Sequence, residues 1–150
     1  MVTTATPDEA AAALPAYEWL FAPPGMVPAG WDPEVASARL RAVAESDRSD
    51  LFLARVDGKV AGLCCVFLDI ASVRFGQRAW VEDLAVDPAQ RSRGIGKELF
   101  DTAKEWARER GASHLELDSG LDRADAHRFY EREEPSWVSK CFAWQLDENS

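Results

Sequence analysis

The sequence is poor in cysteine, and its three cysteines are badly placed for crosslinking or metal binding. Cys64 and Cys65 are adjacent, and Cys141 lies far along the chain. This arrangement neither forms a disulfide framework nor matches the C-x-x-C spacing of a metal site. We therefore expect a protein from a reducing compartment that binds no metal ion.

Long apolar runs are also absent. No stretch approaches the ~18 uninterrupted apolar residues that cross a membrane. The first residues, Met1-Val-Thr-Thr-Ala-Thr, lack the basic and apolar regions of a secretory signal. These absences predict a cytoplasmic protein without a membrane partner.

Positive charge is scarce relative to negative charge. The chain has 17 Lys and Arg against 26 Asp and Glu, which gives a formal net charge of −9 at pH 7. Nucleic-acid binders gain much of their affinity from Lys and Arg that neutralise phosphates, and anionic membranes attract the same side chains. The balance argues against both as general partners.

The composition that remains is that of a globular protein. Hydrophobic residues make up 47% of the chain and charged residues 29%, which is unlike a disordered or low-complexity sequence. A chain of 150 residues buries roughly 70% of the surface that its unfolded form exposes. We therefore predict a single domain over residues 1–150.

Local patterns predict helices first and then alternating strands and helices. A capping box from Thr6 to Glu9 begins a helix that runs to about Phe21, and Asp32 caps a second helix through Glu45. Further along, we predict strands at 51–56, 59–70, 78–86, 114–118 and 137–146, and helices at 95–110 and 122–132. This order predicts an α/β domain with a mixed sheet. A right-handed crossover would place the loop after strand 78–86 at a sheet edge where ligands bind.

The segment that follows this strand has the composition of an anion site. Pro88–Lys97 contains no acidic residue and three basic ones, Arg91, Arg93 and Lys97. Its glycines, Gly94 and Gly96, allow the backbone to approach a ligand, and the N-terminus of the next helix offers N–H groups and a favourable dipole. The segment predicts a polyphosphate site.

The order of residues in this segment resembles a known family signature. The run R-x-x-G-x-G from Arg91 to Gly96 is similar to the pyrophosphate-binding pattern [Q/R]-x-x-G-x-[G/A] of the GNAT acyltransferase superfamily, whereas the P-loop and dinucleotide-binding patterns do not fit. The resemblance implies a mixed, mostly antiparallel central sheet flanked by helices on both faces, with acetyl-CoA as cosubstrate. It implies cofactor-binding roles for Leu84, Ala85 and Val86 through their main chain and for Arg91, Ser92, Arg93, Gly94, Ile95, Gly96 and Lys97.

A second block resembles the same family. The run Ala126-His-Arg-Phe-Tyr-Glu-Arg132 is similar to the GNAT pattern A-x-x-F-Y-E-x, in which the tyrosine commonly acts as general acid near the thioester sulfur. The resemblance implies that role for Tyr130, with Ala126 leaving room for the pantetheine arm, Phe129 packing beneath it, and Ser119 as a polar partner. The family usually continues with a glycine and an aromatic, whereas this chain has Pro135 in the following turn.

The reaction also needs a proton acceptor, because a primary amine attacks only in its neutral form. Glu82 and Asp83 lie in the strand before the loop and, by alternation, are expected on opposite faces. In the family an acidic residue on this strand often serves as base. The resemblance therefore favours Glu82, with Asp83 or a water molecule as the alternatives.

An amine acceptor is expected on the opposite side of the sheet, near the N-terminal helices. Aromatic and apolar residues are concentrated there, namely Tyr17, Trp19, Phe21, Met26 and Trp31. Combined with the acidic total, this cluster favours a cationic amine as acceptor. Because no cysteine lies near the loop or Tyr130 in sequence, we expect direct attack in a ternary complex rather than a covalent acyl-enzyme.

Two functions follow from these patterns. The first is an N-acetyltransferase that moves an acetyl group from acetyl-CoA to an amine of a small molecule or peptide. The alternative is a non-catalytic acyl-CoA-binding sensor or regulatory module, suggested by the altered segment 133–137. A homodimer is common in the family, and the predicted last strand, 137–146, could supply the contact.

Overall fold

The computed structural model describes residues 1–147 and contains a five-stranded sheet in the order β1-β2-β3-β4-β5. Neighbouring strands are antiparallel except β4 and β5, which are parallel. The strands are β1 (Val2–Thr4), β2 (Ser49–Val56), β3 (Lys59–Ser72), β4 (Gly76–Val86) and β5 (His114–Glu116). The helices are α1 (Pro7–Ala12), α2 (Glu18–Phe21), α3 (Pro33–Glu45), α4 (Ile95–Glu109) and α5 (Ala124–Arg132). None of these helices is long and apolar enough to cross a bilayer.

Helices cover both faces of the sheet, as predicted. Side chains alternate along β2 and β3, so that one set packs against α4 and the other against α1 and α3. The α4 side includes Phe52 and Val66 with Leu99. The opposite side includes Leu53 with Leu40. The mixed, mostly antiparallel sheet between two helical layers is confirmed.

The first predicted helix is interrupted, although its beginning is correct. Thr6 caps α1 with the expected reciprocal bonds to Glu9. The chain then continues as a short 3₁₀ turn, Leu14–Tyr17, and α2. Pro15 explains the break, because proline has no N–H and its ring clashes with the carbonyl one turn earlier in a continuous helix. The interruption places Tyr17 between the 3₁₀ turn and α2.

The central strands agree closely with the prediction. The hairpin between β2 and β3 turns at Asp57 and Gly58, which both have positive φ (52° and 76°), as a type I′ turn requires. The short strand β1 was not predicted. It pairs with β2 from Val2↔Ala54 to Thr4↔Phe52, and its three residues are too few to show a period.

The predicted last strand, 137–146, is wrong. Among the described residues this segment makes no ladder with any strand. Trp137 stacks on Phe75, and a cavity of about 750 Å³ lies between β5 and the beginning of the segment. The apolar alternation that predicted a strand is real, but a strand also needs a paired neighbour. Phe142, Trp144 and Leu146 therefore remain 72%, 78% and 96% exposed.

Candidate active site

The loop between β4 and α4 presents unpaired backbone N–H groups. Ser92 and Gly94 have positive φ (67° and 77°), and Gly94 caps α4 without a side-chain bond. The first backbone bond into α4 runs from Glu98 to Gly94. The N–H groups of residues 92–97 have no acceptor among the described residues. Such a concave run of N–H groups at a helix N-terminus binds anions.

The three basic residues of this loop differ in their availability. Arg91 is exposed and lies 4.0 Å from Asp125. Arg93 is also exposed and makes no ion pair with any described residue. Lys97 is already paired, because its Nζ lies 3.1 Å from Glu133 and it also pairs with an acidic residue one turn along α4, so its cofactor-binding role stays a prediction. Those two carboxylates offset its charge, and the pKa of Lys97 is raised mainly by its bond to Glu133.

Small and apolar residues shape the wall beside the loop. A Cβ placed on Gly96 would lie 3.6 Å from Val86 and 3.7 Å from Phe129, so the three predicted cofactor residues are neighbours. The side chains of Ile95 and Ala85 are buried in the core. Only the main chain of these last two residues is available to a ligand.

The two parallel strands separate where the loop begins. The ladder between β4 and β5 runs only from Arg78↔His114 to Trp80↔Glu116. Beyond it, β4 has a free edge from residue 81 to residue 86 within the described structure. Ser119 follows the end of β5 by three residues, and its Oγ is buried without a hydrogen-bond partner among the described residues. A buried hydroxyl of this kind marks a place where a ligand or water completes the bonding.

A cavity of about 600 Å³ lies on the side of α1–α3. It brings together the predicted residues Glu82, Asp83, Leu84, Ser119, Ala126 and Tyr130. Tyr17, Phe21 and Trp31 form part of its wall, with the Phe21 and Trp31 rings 4.8 Å apart in an edge-on contact. Met26 also lines it, whereas Trp19 packs into the core instead.

A β-bulge places both acidic residues in this cavity, so the prediction that they lie on opposite faces is wrong. Cys65 pairs with Asp83 and Val66 with Val81, which leaves Glu82 without a partner on β3. An extra residue in one strand interrupts the alternation of side chains. Two adjacent charged residues in an apolar strand were the available sequence signal for such a bulge.

The two carboxylates have different surroundings. Glu82 is exposed and accepts a 2.7 Å hydrogen bond from the Trp80 indole N–H. Asp83 is partly buried and accepts a 2.6 Å bond from the Tyr17 hydroxyl. Burial raises the pKa of Asp83, and the bond from Tyr17 partly opposes this rise. Sequence reasoning missed Tyr17 as a partner because the contact joins two distant segments.

Two cysteines lie closer to the site than the sequence indicated. Cys65 lines the cavity, with its sulfur 3.6 Å from the Tyr17 hydroxyl, and Cys64 is near enough to Tyr130 to affect its pKa. Burial raises the pKa of Cys64 to about 12 and that of Cys65 well above its usual value. Both thiols therefore remain protonated and are poor nucleophiles.

Tyr130 lies where the two cavities meet. It lines both of them, as does Ser119. Its ring packs 6.1 Å from that of Phe100 and 5.2 Å from that of Phe129. Burial is the main cause that raises its pKa to about 12. The phenol is therefore a protonated donor across the neutral range.

Comparison with known proteins agrees with this geometry. A family model described as the acetyltransferase (GNAT) family matches residues 13–133. The chain is 38% identical over 99 residues to an uncharacterized N-acetyltransferase, YhdJ, of Bacillus subtilis (strain 168), covering 66% of this chain and 69% of that protein. It is 36% identical over 81 residues to an aminoalkylphosphonate N-acetyltransferase of Salmonella typhimurium, covering 54% of this chain and 53% of that protein. The chain thus spans about half the length of this second relative.

A solved structure extends the likeness over the whole fold. The aminoglycoside N-acetyltransferase AAC(6')-Iy in complex with CoA superposes with a TM-score of 0.77 at 15% identity, covering 97% of this chain and 93% of that one. At this identity the likeness concerns the fold alone. The family model, by contrast, covers most of the sequence, including the loop and the tyrosine helix. The chain therefore belongs to the GNAT family of acetyltransferases.

Proposed function

We propose that this chain transfers an acetyl group from acetyl-CoA to an amine of a small molecule or peptide, by direct attack within a ternary complex. One observation carries the proposal. The cavity that holds Glu82, Asp83 and Tyr130 opens against the same stretch of β4 that leads into the N–H-lined loop. A cofactor along that stretch and an acceptor in the cavity would meet beside Tyr130. The names of two relatives, an aminoalkylphosphonate and a streptothricin acetyltransferase, support a small-molecule acceptor.

The residues of the loop and the free strand edge fit acetyl-CoA. The N–H groups of residues 92–97 and the side chains of Arg91 and Arg93 would hold the pyrophosphate. The main chain of residues 84–86 would pair with the pantetheine amides as an added strand does. Ala126, Phe129 and Ser119 would line the end of the arm. Bound there, acetyl-CoA supplies an activated acetyl group as a thioester.

Glu82 is proposed as the base that receives the proton of the amine, directly or through water. Its exposure leaves it accessible from the cavity, and its position next to Asp83 makes this end of the cavity negative. Asp83 is held by Tyr17 and would attract the ammonium form of the acceptor. Tyr130, with its raised pKa, would donate a proton to the leaving sulfur.

The function is tested by combining a binding measurement with a turnover measurement. We expect calorimetry to detect acetyl-CoA binding and thiol release to accelerate when a panel of primary amines is added. Binding without turnover on any amine would instead support a sensor or regulatory module. Absence of acetyl-CoA binding would contradict both functions.

We further propose that the chain forms a homodimer through the segment 137–146. Phe142, Trp144 and Leu146 are exposed at every second residue, and in an extended strand they would share one face. Burying that face against a second copy would remove a large apolar area from water. The groove between β5 and this segment offers a free strand edge beside it.

If the chain dimerises through this segment, substitutions in the segment should halve the mass of the particle in solution. The wild-type chain is expected to elute as a dimer by size exclusion with light scattering, and the double variant Phe142→Ser, Trp144→Ser as a monomer. Ala143→Ser is the matched control, because Ala143 would lie on the other face of the extended strand. A monomeric wild-type chain, or loss of the dimer in the control as well, would contradict the proposed contact.

The cytoplasm is the proposed location. The three cysteines are free in the structure, and two of them are buried, which suits a reducing compartment. Fractionation of cells that produce the native chain tests this location.

A further inference from the structure

The acceptor cavity contains charged groups of both signs. Carboxylates are supplied by Glu82 and Asp83 on β4 and by Asp118 beyond β5, whereas Arg39 and Arg123 supply guanidinium groups. The sequence favours a cationic amine as acceptor, and the positive charge of such an amine would be repelled by arginine side chains in the wall. The two arginines therefore point to a negative group on the acceptor.

Arg39 differs from the other arginines near it. Arg123 donates a 3.1 Å hydrogen bond to the Leu20 carbonyl, which occupies part of its guanidinium group. Arg41, two residues along α3, pairs with Asp8 at 2.7 Å and does not line the cavity. Arg39 is exposed, lines the cavity, and makes no ion pair or hydrogen bond with any described residue. In a chain with an excess of acidic residues, its guanidinium remains available to a ligand.

Between these charges the cavity wall is largely apolar. The Tyr17 and Trp31 rings lie 6.0 Å apart in a stacked contact, and Phe21 packs against both. Leu40, on the same helix as Arg39, also contributes to the wall. An acceptor that fills this space would contact the aromatic rings with its apolar part. Its reacting amine would lie near the carboxylates of Glu82 and Asp83, and the guanidinium of Arg39 would be available to another part of it.

We propose that the acceptor is a zwitterion, an amine that also carries a carboxylate or phosphonate, and that Arg39 binds this anionic group. Arginine suits both anions because its planar fork donates two parallel hydrogen bonds. The proposal rests on the proposed function and narrows it to amino acids and their phosphonate analogues with an apolar or aromatic side chain. It assigns Arg39 a role in specificity rather than in the chemical step.

The test compares matched amines on wild-type and variant proteins. The probes are phenylalanine, its phosphonic acid analogue and phenethylamine, with leucine and isopentylamine as a second pair. We expect the wild type to prefer the anionic members, and Arg39→Gln to raise their KM about 10- to 100-fold, as loss of a charged hydrogen-bonded pair does. The KM of phenethylamine and isopentylamine should remain unchanged. Comparing carboxylate with phosphonate then identifies which anion fits better.

Arg41→Gln provides the matched control, since it removes the same charge from the same helix outside the cavity. It should leave every KM as in the wild type. Equal use of simple and anionic amines by the wild type, or an equal effect of Arg39→Gln on both kinds, would overturn the zwitterion proposal while the acetyltransferase function stands. Failure to acetylate any amine would overturn the function itself.

Discussion

Replacement of Tyr130 by phenylalanine is expected to lower kcat for amine acetylation by about 10²–10⁴-fold, the usual contribution of a general acid. The hydroxyl is a buried donor beside the free edge of β4, and burial holds its pKa near 12. Because the Tyr130 hydroxyl stays protonated, its titration should not reduce the activity of the wild-type chain below about pH 11. Steady-state kinetics and calorimetry with acetyl-CoA provide the measurement.

The affinity for acetyl-CoA and the fold should survive this substitution. The Tyr130 hydroxyl makes no hydrogen bond with any described residue, so its removal leaves no protein partner unpaired. The dissociation constant of acetyl-CoA should stay within about twofold of the wild-type value. If affinity and kcat fall together, Tyr130 is a binding residue and its role as acid is wrong.

Replacement of Glu82 by glutamine is expected to reduce kcat/KM by about 10²-fold near pH 7, because the variant lacks a proton acceptor. The loss should shrink as the pH approaches the amine pKa of about 10, where the acceptor deprotonates without help. A pH–rate profile measures both effects. The nearby Asp83→Asn is the comparison, and a larger loss there than in Glu82→Gln would transfer the role of base to Asp83.

Asp83 also has a consequence for stability. Because burial raises its pKa, the folded chain holds this proton more tightly than the unfolded chain, in which the pKa is about 4. The resulting stabilisation is complete below that value and is lost as the pH rises through the folded pKa. Thermal unfolding between pH 4 and pH 8 should show a decline for the wild type that Asp83→Asn lacks. If the stability of both proteins declines equally with pH, the decline comes from titratable groups other than Asp83.

Much of the loop after β4 and of the tyrosine helix was predictable because the residues that specify each of them are close in sequence. The glycines at 94 and 96 and the tyrosine at 130 occupy local patterns, and local patterns specify a loop followed by a helix. The polar and charged residues of the cavity were harder to predict from the sequence. Arg39 and Tyr17 lie far from β4 in sequence, and only the packing of α3 and the 3₁₀ turn on the sheet brings them to Asp83 and Glu82.

Two of the predictions that failed depended on periodicity alone. Alternation placed Glu82 and Asp83 on opposite faces, and it also predicted a strand at 137–146. Periodicity reports which side chains share a face, but it carries no information on an inserted residue or on whether a neighbouring strand exists. The helix predicted from the capping box to about Phe21 also ran through Pro15, where covalent geometry ends it.

The bulge at Glu82 changes which face the rest of β4 presents. Before it, Ala79 and Val81 pack towards α4, whereas after it Ala85 packs towards α1 and α3. A deletion of one residue here would restore the alternation and turn the last residues of the strand over. The two carboxylates and the free edge of β4, which we propose for the pantetheine arm, would then no longer keep their present orientation relative to each other, even with every remaining residue unchanged. The length of this strand therefore shapes the candidate active site as much as the identity of its side chains does.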